Sequence, residues 1–119
     1  MRDYHRLEIW QRAHALSIAI HDVARQFRGG EFASLRSQLT RAADSVPATI
    51  VEGCGAASPK DFARYLDISI KSAAETEYHL LSARDRRVLV HNQWQRLSAE
   101  AVAVRRMTYA YRKKLLEDQ

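Results

Sequence analysis

Gln38, Arg41, Ser45, Thr49 and Glu52 follow one another at intervals of three or four, the spacing that stacks side chains on one face of a helix. Polar groups in that register can run a hydrogen-bonded line along a packed edge. Counting outward from a turn near residue 57 sets Arg41 level with Ser72 to Glu75 on the next helix, and Glu52 near Asp61. A guanidinium fork on the Glu75 carboxylate is a strong, directional pair, to which Gln38 and Ser45 add hydrogen bonds. Its expected role is helix register or a subunit contact, so Arg41→Ala is expected to lower stability or break an oligomer. Acid–base catalysis is the alternative, but no nucleophile or metal-ligand set accompanies the pair.

Other residues with chemical potential fall short of a site. Diiron bundles need Glu-x-x-His on two helices. Here His79 follows Thr76 at that spacing, with acids at Glu75 and Glu77 instead. His14 and His21 share a helical face, and no carboxylate pair joins them, so edge histidines are expected. Cys54 lies between Gly53 and Gly55 with no basic neighbour to lower its pKa. The Gly-Cys-Gly trio lacks the spacing and the Gly-Lys-Ser/Thr ending of a phosphate loop. No catalytic residue, metal or cofactor is expected.

Charge is the remaining handle. The chain carries +5 over 119 residues. Residues 1–83 sum to zero, and residues 84–119 hold nine Lys/Arg against four Asp/Glu. A polyanion is the natural partner of such an excess, and a solvated helical face is the bland alternative. The candidate nucleic-acid contacts are Arg105, Arg106, Arg112, Lys113 and Lys114. Trp94, Tyr109 and Tyr111 are interleaved with them, but Trp94 and Tyr111 fall on the apolar seam and are expected to pack rather than stack on bases.

The elements that must position these residues are legible as apolar stripes. Trp10, Ala13, Leu16, Ile20, Val23 and Phe27 predict a helix over about 7–27, closed by Gly29-Gly30. Leu35, Leu39, Ala42, Val46, Ile50 and Gly53 predict a second over 31–53, with Pro47 inside it. A third, over 59–87, opens with Ser58 as cap, Pro59 at the first position and Asp61 returning the capping bond. Phe62, Leu66, Ser69, Ala73, Thr76, Leu80 and Ala83 line it. A fourth, over 92–116, starts at an Asn92 cap, and Trp94, Leu97, Ala101, Val104, Thr108, Tyr111 and Leu115 keep a strict heptad seam. No alternating strand pattern occurs, so the fold class is all-α: one domain over 1–119, an antiparallel up-down-up-down four-helix bundle. A helix-turn-helix needs shorter helices than these. Ile9, Ile18, Tyr65, Ile68, Ile70, Tyr78, Leu81, Val102 and Tyr109 lie off the main stripes. That surplus width predicts self-association. No apolar run is long enough to span a bilayer. The first residues lack a signal-peptide core, and one cysteine cannot form an internal disulfide, so a cytoplasmic location is expected.

Several segments together resemble the four-helix bundle proteins encoded by intervening sequences of bacterial 23S rRNA genes. Leu7-Glu8-Ile9-Trp10-Gln11-Arg12-Ala13 is similar to that family's L-x-V-W-Q-K-A opening. Leu35 through Pro47 is similar to L-x-x-Q-L-x-R-A-x-x-S-I-P, and Ile50-Val51-Glu52-Gly53 to the N-I-A-E-G that follows. Phe62 through Ser72 resembles F-x-x-F-L-x-I-A-x-G-S, with Glu75 at the next acidic position. Thr49, Val51 and Lys71 depart from the usual asparagine, alanine and glycine. The resemblance covers about residues 4–90. It implies a left-handed bundle that associates as a ring, commonly a pentamer, with no established enzymatic activity. It also links by architecture to accessory proteins of retroelement reverse transcriptases, whose basic ring surface meets nucleic acid and enzyme.

Two functions are therefore expected as alternatives. One is a non-enzymatic homo-oligomeric scaffold touching RNA or DNA phosphates through the basic C-terminal helix. The other is a protein-binding adaptor without a nucleic-acid role. A carboxylate–metal enzyme is the least favoured third.

Overall fold

The computed structural model describes residues 2–118, and all regular structure among them is helical. Four helices run α1 Glu8–Ala24, α2 Ala33–Cys54, α3 Pro59–Asp85 and α4 His91–Glu117. Short 3-10 turns at Tyr4–Arg6 and Gly30–Phe32 precede α1 and α2. Every apolar position on the four stripes that lies deep in the pattern is buried, and Ile20, Leu39, Val46, Ile50, Leu66, Leu80 and Val104 are wholly enclosed. Neighbouring helices run antiparallel. Ser17 bonds Asp44 across α1–α2, Ser45 meets Ser72 across α2–α3, and Arg105 meets Glu77 and Arg112 meets Asp67 across α3–α4. Arg12 closes the ring of helices by gripping Glu100 of α4. The result is a rod of 48 × 22 × 20 Å.

The helix ends differ from expectation in three places. α1 stops at Ala24 rather than near Phe27, because Gln26 and Phe27 tighten into bonds on Val23 and Ala24. Gly29 then takes φ 92°, which glycine adopts freely. At α3, Ser58 does cap Asp61 N–H at 3.1 Å, but the Asp61 carboxylate turns to Arg64 instead of completing the box. At α4 the cap residue is Val90, not Asn92, and no side chain caps the helix.

α2 continues unbroken through Pro47, which is buried. Proline cannot donate to the carbonyl four residues back. Hydroxyls gather around the defect. Thr49 Oγ1 donates to Ser45 O at 2.7 Å, and Ser69 Oγ of α3 donates to Val46 O at 2.9 Å. Pro47→Ala restores the missing bond, against the loss of two ring carbons worth about 0.8 kcal/mol each and of a stiffer unfolded chain. A net gain of about 1 kcal/mol is expected, read as a small rise in thermal midpoint.

Candidate nucleic-acid interface

The five candidate cations, all in the C-terminal half of α4, divide by helical face. Arg105 and Arg112 lie on the side that meets α3 and are committed there. Arg105 Nε sits 2.6 Å from Glu77 Oε2, a bond that raises the guanidinium's pKa. Arg112 Nε lies 2.6 Å from Asp67 Oδ1 at an angle too poor for a hydrogen bond, and Nη2 reaches the other oxygen at 3.4 Å. Arg106, Lys113 and Lys114 are exposed and without an ion-pair partner among the described residues. Glu117 and the C-cap Asp118 follow Lys113 and Lys114 at the end of the helix. Trp94 and Tyr111 pack half-buried on the core as expected, and Tyr109 is exposed. Five cations thus face four nearby acids, and this half of α4 has little net charge to offer.

The polar line of α2 is brought together only in its middle. Thr49 is buried and Ser45 half-buried, with Ser45 Oγ accepting from Ser72 Oγ at 2.8 Å. Gln38, Arg41 and Glu52 are exposed, and Gln38 bonds back to Ser34. Within this chain the expected Arg41–Glu75 pair is not formed. The Glu75 carboxylate lies 3.5 Å from His79 of its own helix. The two helices place Arg41 and Glu75 level, but both side chains stand on the outer surface, where water competes for them.

Histidine placement also departs from expectation. His79 is buried rather than at an edge, with only 8% of its surface exposed. His21 Nε2 lies 2.8 Å from Asp44 Oδ1, the same oxygen that accepts from Ser17 Oγ at 2.7 Å. Serine and histidine each meet the aspartate and not each other, so this trio has no nucleophile–base contact. Beside it, an open groove of about 540 Å³ between α1 and α2 is lined by Trp10, His14, Ile18, Pro47 and Val51. Cys54 is buried, and desolvation pushes its thiol pKa up. Among the described residues no group of three His, Cys, Asp or Glu side chains could hold a metal ion. No helix is long and apolar enough to cross a membrane.

The family model described as 23S rRNA-intervening sequence protein matches residues 5–110. The chain belongs to that family. The match spans α1, α2, α3 and most of α4, further than the residues 4–90 that carry the resemblance in sequence. A solved structure from Bacteroides thetaiotaomicron, a protein of unknown function from the S23 ribosomal protein family, superposes with a TM-score of 0.82 at 21% identity. It covers 88% of this chain and 98% of that one, which is a likeness of fold. No curated protein matches the chain.

Charge counting along the chain misses one set of residues. Arg28, Arg86, Arg87 and Arg96 are exposed and unpaired among the described residues, and they cluster at the end of the rod where α1 passes to α2 and α3 to α4. Their signal in the sequence is the run Arg84-Asp85-Arg86-Arg87, which reads there only as a helix end.

Proposed function

We propose that the protein is a non-enzymatic, homo-oligomeric helical scaffold whose outward arginines and lysines contact nucleic-acid phosphates. The observation that carries the oligomer is surface apolarity. Ile18, Ile68, Tyr78, Leu81, Val90 and Tyr109 are each 36–63% exposed, on a rod with no other place to bury them. The family resemblance makes a ring of five the expected assembly. Arg41 and Glu75, level but unpaired in one chain, suit a contact between subunits.

The phosphate contact rests on the charge of +5 together with the free cations Arg106, Lys113 and Lys114 and the four arginines at the loop end, Arg28, Arg86, Arg87 and Arg96. The adaptor reading draws on the same exposed apolar residues and assigns them to a foreign protein. Light scattering at micromolar concentration separates the two. A mass of several subunits is expected, reduced by Tyr78→Glu with Ile68→Glu and weakened by Arg41→Ala. A stable 13.7 kDa species would overturn the oligomer in favour of the adaptor.

A further inference from the structure

The +5 charge is distributed by folding in a way that linear counting does not reveal. Residues 22–36 and 84–96 hold Arg25, Arg28, Arg36, Arg84, Arg86, Arg87 and Arg96 against Asp22, Glu31 and Asp85, a sum of 7 − 3 = +4. The rest of the chain holds twelve cations and eleven acids, or +1. Antiparallel packing brings these two stretches to one end. The Ser69–Val46 and Ser45–Ser72 bonds set α2 against α3 so that Ala33 to Arg36 lie beside the last turn of α3. Nearly all the net charge therefore stands on one face about 22 × 20 Å across.

We propose that this loop end, and not the C-terminal half of α4, is the surface that grips the phosphodiester backbone. The inference rests on the phosphate-contact reading and relocates it. Every cation at this end is an arginine, while Lys60, Lys71, Lys113 and Lys114 all lie elsewhere. The guanidinium fork matches phosphate oxygens in pairs. Three of the seven are held by the protein. Arg36 donates to Phe27 O, Arg25 pairs with Asp22, and Arg84 pairs with Asp85 while its guanidinium sits 4.1 Å over the Trp94 ring. Those contacts brace the platform and leave Arg28, Arg86, Arg87 and Arg96 free among the described residues. α4 also begins here without a side-chain cap, so its first N–H groups add positive potential.

Arg87 supplies an independent sign. α3 ends in a Schellman turn: Arg87 N–H bonds Arg84 O at 2.9 Å, and Val88 N–H bonds Ala83 O at 3.1 Å. Arg87 takes the left-handed position of that turn, φ 65°, the sole such non-glycine among the described residues. Glycine is the unstrained occupant. An arginine standing where glycine fits better puts a strained backbone position in the middle of this charged end, as residues that carry function often do.

A protein partner fits this end poorly. Of the exposed large apolar residues only Val90 and Leu81 stand at this end, and the other four lie further along the rod. Protein interfaces centre on an apolar cluster. A face of about 20 Å spans on the order of six nucleotides at 3.4 Å each.

The test uses the full chain, a fluorescein-labelled 12-nucleotide RNA and the DNA of the same sequence, with anisotropy read at about 50 and about 200 mM salt. Replacing Arg28, Arg86, Arg87 and Arg96 with glutamine should weaken binding about tenfold or more and shrink the logarithmic salt slope by up to about 3. Replacing Arg106, Lys113 and Lys114 should change affinity by about twofold or less. Arg87→Gly guards against a folding artefact, since it should melt higher yet bind more weakly. The reverse order, with the α4 variant losing affinity and the loop variant unchanged, overturns the location and leaves phosphate contact standing. No binding of either strand by the unmodified chain at low salt overturns both. Polyglutamate competing as well as RNA at equal charge would replace phosphate with a carboxylate partner.

Discussion

Gly53→Ala is expected to destabilise the folded chain by about 2 kcal/mol, although alanine is the better helix former by about 1 kcal/mol. The added methyl would stand 2.6 Å from Phe62 Cδ1, 2.8 Å from its Cε1 and 3.1 Å from Tyr65 Cβ. Two of those contacts are closer than carbon atoms tolerate. The Phe62 ring has little room to give, because it packs edge-on to Tyr111 at 5.9 Å, with the Arg2 guanidinium 5.5 Å from its centre. Tyr65 Cβ cannot rotate away at all, being fixed to its backbone. The turn from α2 to α3 would have to open, at the point where Arg2 N–H bonds Cys54 O. A double-mutant cycle isolates the cause. In a Phe62→Ala background most of the ring clash is gone, and Gly53→Ala should be near neutral. Equal losses in both backgrounds, read by urea unfolding, would place the fault in the helix backbone instead.

That close approach was half legible in the sequence. Gly53 falls on the α2 stripe and Phe62 on the α3 stripe, so periodicity assigns both to the core. Periodicity cannot say that the two stand against each other, because that depends on the length and path of the turn at residues 55–58. The same division runs through the molecule. Apolar stripes survive translation into structure because burial of each position follows from a local repeat. The Arg41–Glu75 pair does not, because registers that bring two Cα atoms level leave long side chains free to choose water or a nearer partner. Glu75 has His79 one turn away on its own helix. Charge behaves similarly. The excess over residues 84–119 is real, but two of the six Lys/Arg of α4 meet acids contributed by α3, and Arg84, Arg86, Arg87 and Arg96 join arginines from the α1–α2 connection some sixty residues earlier. A sum along the chain cannot see either pairing. Arg87 is hidden for a different reason: nothing in Arg86-Arg87-Val88 announces a left-handed residue where glycine usually does so.

Leu66→Ala is expected to cost about 3–4 kcal/mol. Leu66 is 0% exposed, on α3 between Phe62 and Ser69. Three carbons leave, and the cavity cannot collapse easily, because Val46 and Ile50, close to its level on α2 by the Ser69–Val46 bond, are themselves wholly enclosed. Such a loss is a large part of the 5–15 kcal/mol that keeps a domain folded. It also offers a way to separate folding of one chain from association of several. Where assembly contributes to stability, the midpoint of unfolding rises with protein concentration by mass action. Leu66→Ala should lower the midpoint at every concentration and keep the concentration dependence, since its side chain never reaches the surface. Tyr78→Glu with Ile68→Glu should do the opposite, flattening the concentration dependence while leaving the dilute-limit midpoint nearly unchanged, because both side chains are already exposed in the single chain. Thermal unfolding followed by circular dichroism across a hundredfold range of protein concentration gives both quantities. A midpoint independent of concentration in the unmodified chain would mean that the exposed apolar residues contribute no subunit contact, and the scaffold reading would lose its main support.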